Sequence, residues 1–246
     1  IITTYYCSSF IGKFIISMKK NILIIGGSSS IGQEVIALVQ AAGDHPIITS
    51  RTDMAVQDGV FFQLDPNDDL SQLDELPESI DGLLYCPGSI TLKSLQRMDL
   101  VDVQEDMKIN FEGAFNIVKK VLPNLKKDAG ASVVFISSVA AISGMTFHSS
   151  ISASKAALEG FARSLAAELA PRVAVNCIAP SLTNTPLAAS LLGDEKRIQA
   201  SEERHPLNAI GDPKAIAGVI YGLLSAKENW ITGQTISVDG GLSTLR

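Results

Sequence analysis

The chain has 246 residues, 46% of them hydrophobic and 19% charged, with a formal net charge of −6. That length suits one large α/β domain around a single sheet, and the apolar content is enough to fill a core. An acidic balance without a basic cluster argues against nucleic acid or an anionic membrane as partner. Cys7, Cys86 and Cys177 are odd in number, far apart and without metal-ligand spacing, so they read as free thiols in a reducing, cytoplasmic setting with no metal site.

Residues 1–17 carry a single charge, Lys13, are too short for a convincing membrane span and lack the order of a signal peptide. Met18-Lys19-Lys20-Asn21 reads like a natural start. Residues 1–17 are therefore expected to be a leader or upstream extension, and 18–246 the folded domain.

Asn21 to Ile25 is an apolar run that ends in Gly26-Gly27-Ser28-Ser29-Ser30-Ile31-Gly32. Ile31, Val35, Leu38 and Val39 then repeat at the spacing of one buried helix face. A strand that turns through glycines into a helix start presents free N–H groups and a positive dipole end to a phosphate. The second strand, Pro46 to Thr49, ends in Ser50-Arg51. In dinucleotide-binding folds the residue here faces the adenosine ribose, where an acid bonds the 2′-hydroxyl and an arginine suits a 2′-phosphate. Arg51, with no acid at 49–51, favours NADP(H) over NAD(H).

Val60 to Leu64 forms a third strand closed by Asp65-Pro66, and Gly82 to Cys86 a fourth that ends in Pro87-Gly88. Between them, Asn67 to Glu78 reads as a solvated loop with a short helix. Asp99 to Lys127 carries the longest helical signal, with Met107, Phe111, Ala114, Phe115, Val118, Val121, Leu122 and Leu125 on one face and Asn110 within it. Ser132 to Ser137 is the fifth strand, followed by Ser138. A helix from about Ser152 to Ala170 carries Lys155, and Val173 to Ile178 is the sixth strand. Pro180, Thr183 and Thr185 lie in the loop beyond. Leu187 to Pro206 reads as a helical, charge-mixed segment without a recognisable substrate signature. Thr235 to Val238, closed by Asp239-Gly240-Gly241, is the last strand. Strands alternating with helices, apolar along their lengths, mean a Rossmann-like doubly wound parallel sheet covered on both faces. Gly26, Arg51, Asp65, Gly88, Ser138 and Thr185 all follow strand ends, where such sheets bind ligands.

On these residues the chain resembles the short-chain dehydrogenase/reductase family from Asn21 to Gly241. The resemblance implies that Gly26, Ser28, Ser29, Ser30, Ile31 and Gly32 cradle the cofactor phosphates, Asp65 bonds the adenine edge and Gly88 approaches the cofactor ribose. It also implies that Pro180, Thr183 and Thr185 belong to the loop that holds the nicotinamide carboxamide. Ser138 would bond the substrate oxygen, Lys155 would bond the nicotinamide ribose, and Asn110 would complete a proton relay. The family pattern places a tyrosine four residues before the lysine, on the same helix face. Ile151 stands there, and it can neither donate nor accept a proton.

Ile25, Ser30, Tyr85-Cys86-Pro87 and Ser181 are further departures from the family's motifs. His148, seven residues before Lys155, has the Tyr-to-Lys spacing of the related enoyl reductases and could act as the general acid. His148 also reads as an ordinary loop histidine, and water held by Ser138 and Lys155 is a further proton source. Two functions remain open at this point. One is an NADP(H)-dependent oxidoreductase acting on an unidentified small carbonyl or alcohol with a non-standard proton donor. The other is a non-catalytic NADP(H)-binding or scaffold protein. Either is expected to form a homo-oligomer, a tetramer or dimer, as family members commonly do.

Overall fold

Short runs of Ile, Leu, Val and Phe, each closed by a turn-forming residue, become the strands of one sheet in a computed structural model of the chain. The structure describes residues 19–125, 127–128, 130–226 and 230–245. The expected extension at 1–17 and Cys7 lie outside them. The strands are β1 (Asn21–Ile25), β2 (His45–Ser50), β3 (Val60–Gln63), β4 (Gly82–Tyr85), β5 (Ala131–Ile136), β6 (Val173–Pro180) and β7 (Thr235–Val238). All pair in parallel, in the order β3-β2-β1-β4-β5-β6-β7. The seven expected strands are all present, and the chain direction across the sheet reverses between β1 and β4.

The central strands are uniformly apolar because both faces are covered. On one face Leu23, Leu83, Val133 and Val175 pack with Ile117, Val121, Leu158 and Leu165, from α3 (Gly113–Leu125) and α4 (Ser149–Leu169). On the other, Ile22, Ile24, Leu84 and Val134 pack with Val35, Val39, Ile216 and Ile220, from α1 (Ser30–Ala41) and α7 (Pro213–Ser225). Successive strand residues alternate between the two cores, as the period of two requires.

The long helix expected over Asp99 to Lys127 is not one α-helix. It runs as α2 (Leu100–Met107), a π turn at Lys108–Glu112, and α3. A π turn shifts the helical phase, so one apolar stripe cannot run unbroken through it. Ala114, Val118, Val121 and Leu125 are buried as expected, joined by Ile117, whereas Phe115 is 42% exposed. Phe111 and Phe115 pack instead on Phe161 of α4, with ring centroids 5.9 Å apart. The helix that carries Lys155 starts at Ser149, three residues earlier than expected, which puts Ile151 in its first turn. The segment after β6 holds α5 (Ala189–Leu192) and α6 (Glu195–Glu202). Among the described residues no helix is long and apolar enough to cross a membrane.

Candidate active site

A cavity of about 870 Å³ opens at the carboxyl ends of the strands, beside the switch in strand order. All the residues singled out in the sequence line it except Gly32 and Asn110, which lie directly behind its wall. Asp65 is the one carboxylate among the described lining residues, set against Arg51, Lys155, Arg197 and Arg204. In a chain of net charge −6 this cavity is therefore a local positive region, suited to a polyanionic ligand.

One end is built by the glycine turn. Gly26 has φ +81°, and a Cβ on it would lie 3.0 Å from Pro87 N, so only glycine suits this position. The amides of Gly26 and Gly27 donate to Thr49 O at 3.0 and 2.8 Å, which pins the turn to β2. A Cβ on Gly32 would lie 2.7 Å from Gly26 O. Ser29 caps α1: its Oγ accepts from Gly32 N at 3.1 Å and its carbonyl accepts from Gln33 N. The first-turn amides of Ser30 and Ile31 are left without a protein acceptor at the cavity wall, an arrangement that receives phosphate. Arg51 stands at the end of β2 with three hydroxyls beside it. Ser50 Oγ donates to Ser28 Oγ at 2.9 Å and lies 3.4 Å from Thr52 Oγ1. Thr49 Oγ1, buried in the same lining, has no hydrogen-bond partner. An orphaned hydroxyl, free helix amides and a cradle that a Cβ would fill all fit a dinucleotide. Asp65 Oδ1 accepts from Asn67 N at 2.9 Å, so it also shapes its own turn.

The other end gathers around β5. Ser138 follows that strand, half-buried, with its Oγ accepting from Ala140 N at 3.2 Å and its O–H directed at no protein acceptor. Lys155 is 5% exposed and donates from Nζ to Ile136 O at 2.7 Å. Burial pulls its ammonium down from the ordinary 10.5 to about 8, against the opposing effects of Cys86, Cys177 and Asp106. A Cβ on Gly88 would meet Asn110 Oδ1 at 3.3 Å and Lys155 Nζ at 3.5 Å, so glycine keeps the floor open above both. Ile151, 3% exposed, fills the helix position one turn before Lys155 and faces the same cavity with an apolar side chain. His148 lies just ahead of α4, its Nδ1 2.7 Å from Thr146 O. Thr183, 6% exposed, donates to Ser181 O at 2.9 Å and bridges to Gly211.

Asn110 sits in the π turn, fully buried. Its Nδ2 donates to Asp106 O at 2.9 Å, Ser89 Oγ at 3.1 Å and Ser154 Oγ at 3.2 Å, and its Oδ1 accepts from Ser89 N at 3.3 Å. The side chain is a strut between the strand-end loop and α4.

Several contacts were not anticipated. Asp106 is fully buried and accepts hydroxyls from Ser89 at 2.6 Å, Thr91 at 3.2 Å and Ser150 at 2.6 Å. In the sequence it looks like one more acid on a polar helix face. Ser137 Oγ donates to the buried Glu159 Oε1 at 2.6 Å. Cys86, where the family has asparagine, lies 3.1 Å from Ser29 Oγ, and burial pushes its thiol up. His205, 3% exposed, bonds Ser181 Oγ from the other side of the cavity. The only sequence signal for that pair is the replacement of the family's loop glycine by a hydroxyl-bearing residue.

Comparison with known proteins agrees with this geometry. Residues 69–243 match the family model described as "Enoyl-(Acyl carrier protein) reductase". The 3-oxoacyl-(acyl-carrier-protein) reductase FabG of Aquifex aeolicus is 32% identical over 239 residues, covering 89% of this chain and 96% of that one. The ligand-free aldohexose dehydrogenase of Thermoplasma acidophilum superposes with a TM-score of 0.86 at 26% identity, covering 93% of this chain and 95% of that one. ElxO, solved with NADPH bound and one tyrosine changed to phenylalanine, gives a TM-score of 0.82 at 27% identity over 92% of this chain and 99% of its own. The chain belongs to the short-chain dehydrogenase/reductase family and is an oxidoreductase of that type.

Proposed function

We propose that the chain is an NADP(H)-dependent oxidoreductase that interconverts a small carbonyl compound and its alcohol, using a proton donor other than the residue at position 151. The observation that carries this reading is one cavity in which the phosphate-receiving start of α1 meets the Ser138–Lys155 pair. The preference for NADP(H) rests on Arg51 and the hydroxyls of Ser28, Ser50 and Thr52, where a 2′-phosphate finds donors and positions 49–51 carry no acid. Gly26, Ser29, Ser30, Ile31 and Gly32 would hold the pyrophosphate, Asp65 the adenine side, Gly88 and Lys155 the nicotinamide ribose, and Pro180, Thr183 and Thr185 the carboxamide. Bound there, the cofactor supplies or accepts the hydride.

Ser138 polarises the carbonyl oxygen by donating its O–H. Lys155, charged at neutral pH, adds a positive field at the oxygen that gains charge. Asn110 keeps the loop after β4 and α4 in register behind both. His148, at the cavity edge, is one candidate acid, at the spacing before Lys155 that the related enoyl reductases use, and His148→Ala tests it. Loss of a positioned general acid lowers turnover by about 10²–10⁴-fold, whereas unchanged kinetics would remove His148 from the proton path. Isothermal titration should give micromolar NADPH binding, weaker NADH binding, and loss of the difference in Arg51→Ala. No NADPH binding would end the proposal. The ElxO variant with NADPH bound supports the view that a chain of this fold holds its cofactor after losing a tyrosine hydroxyl.

Ile151 favours one other reading, a cofactor-binding protein without turnover. Ile151→Tyr separates the two, because a large gain of reductase activity from an inactive parent would identify a site complete but for its acid. We further propose a cytoplasmic homo-oligomer, dimer or tetramer, associating through the helices after β4 and β5, where Phe115 is exposed.

A further inference from the structure

We propose that Ser181 and His205 form the proton path that Ile151 cannot provide, with Ser181 the catalytic donor to the substrate oxygen and His205 the positioning residue that recharges it. This rests on the oxidoreductase reading above.

The geometry has three parts. His205 follows α6 and packs against the backbone of Gly240 beyond β7, its ring carbon 3.5 Å from where a Cβ on Gly240 would stand. Its Nδ1 is 2.6 Å from Ser201 O. A carbonyl can only accept, so Nδ1 carries a hydrogen in both charge states of the ring. Its Nε2 is 2.9 Å from Ser181 Oγ. In the neutral ring Nε2 accepts the Ser181 proton, and in the imidazolium it donates to Ser181 Oγ and turns the serine hydrogen outward. Both states use the same heavy-atom positions.

The second part is placement. The register Ile136↔Ile178 brings Ser138 level with Pro180 on neighbouring strands, which lie about 4.8 Å apart. Ser181 is the next residue, and it and Ser138 both line the cavity in which Lys155 holds Ile136 O. The relay requires the substrate oxygen to lie between these two hydroxyls.

The third part is charge. Asp239, at the end of β7, faces His205. Burial pushes the Asp239 carboxyl up, but hydrogen bonds from Ser243 and Gly241 and the positive field of His205 outweigh it and hold the carboxyl below its usual range. The other groups on the ring are Ser201 O, Ser181 Oγ and the Gly240 backbone, and the charged chain neighbours Glu203 and Arg204 are exposed.

The step balances. As the hydride reaches the carbonyl carbon, the π pair of the C=O bond moves to oxygen. Ser181 Oγ gives its proton to that oxygen and takes the Nε2 proton of the His205 imidazolium. A neutral imidazole remains, still hydrogen-bonded through Nδ1, and regains its proton from solvent. Alcohol oxidation runs the same transfers in reverse.

The test compares wild type with Ser181→Gly and His205→Gln. Nitrogen-15 shifts of the cofactor-free protein, followed across pH, should show the hydrogen on Nδ1 whenever the His205 ring is neutral, and Ser181→Gly should move the Nε2 resonance and the titration midpoint. Both variants should bind NADPH as wild type does, yet lose about 10²–10⁴-fold in reduction rate. The wild-type rate should fall with rising pH through the His205 midpoint, and that limb should vanish in His205→Gln. A hydrogen on Nε2 rather than Nδ1 in the neutral ring, or a Ser181→Gly enzyme with wild-type rate and pH profile, overturns the relay and leaves the oxidoreductase reading standing. Wild-type protein that binds NADPH and turns over no carbonyl overturns both. If His205→Gln fails to fold by circular dichroism, Ser181→Gly decides alone.

Discussion

Lys155 holds a charge at a buried position, and its stability cost can be read against pH. Its folded pKa of about 8 lies below the ordinary 10.5. Below pH 8 the amine is charged in folded and unfolded chains alike, and the cost of burying it is fully present. Between pH 8 and 10.5 the unfolded chain holds more protons than the folded one, so this group's contribution to stability rises with pH. The span is worth about 3 kcal/mol at one pKa unit per 1.4 kcal/mol. Urea unfolding of wild type and Lys155→Met should therefore show wild type gaining on the variant by that order from pH 7.5 to 10.5. A constant difference would show that the amine is not desolvated. The difference between the two proteins is the needed quantity, because burial raises the thiols and Tyr85 in the folded chain, so their linkage to the unfolded chain overlaps the same range.

At the level of elements, the junction between α2 and α3 combines a π turn with a buried carboxylate at the end of α2. Asp106 collects three hydroxyls, and Asn110, four residues on, ties the same loop to α4. Asp106→Ala would leave Ser89, Thr91 and Ser150 without their acceptor, at about 1–3 kcal/mol for each one that stays buried and unpaired. Chemical denaturation should show a loss of at least about 2 kcal/mol, and a loss below 0.5 kcal/mol would mean that water replaces the carboxylate. The α1 start makes a separate prediction. Gly32→Ala puts a methyl 2.7 Å from Gly26 O, a backbone atom that cannot give way cheaply, so NADPH affinity should collapse while the sheet remains folded. Calorimetry with circular dichroism would check both parts. The strands and the glycine turn were readable from sequence because apolar runs and turn residues act locally. The π turn was not, since Lys108 to Glu112 has no residue that marks it. Asp106 was misleading because its partners sit in a loop 15 to 17 residues earlier and a helix 44 residues later.

For the whole molecule, parallel strand order explains why most of the residues singled out in the sequence line one cavity. Each lies just past a strand, and a parallel sheet brings all those ends to one edge. The segment after β6 escaped for the converse reason. His205 reaches the cavity only because α6 folds back over it, and no periodicity in the sequence states where a short helix returns. The proposed oligomer belongs to this scale as well. Phe115→Glu should lower the mass seen by light scattering if the helices after β4 and β5 form the interface, and an unchanged mass would move the interface elsewhere.

Cys86 lines the cavity beneath the glycine turn, 3.1 Å from the serine that caps α1, while Cys177 is fully enclosed in the core. With burial pushing both thiols up, neither should react quickly with an alkylating reagent at neutral pH. A reagent can reach Cys86 when the turn over it opens, but Cys177 only when the sheet itself comes apart. Peptide-resolved alkylation rates would thus give two clocks in one chain, one for breathing of the nucleotide cradle and one for unfolding. Added dinucleotide should slow the first far more than the second.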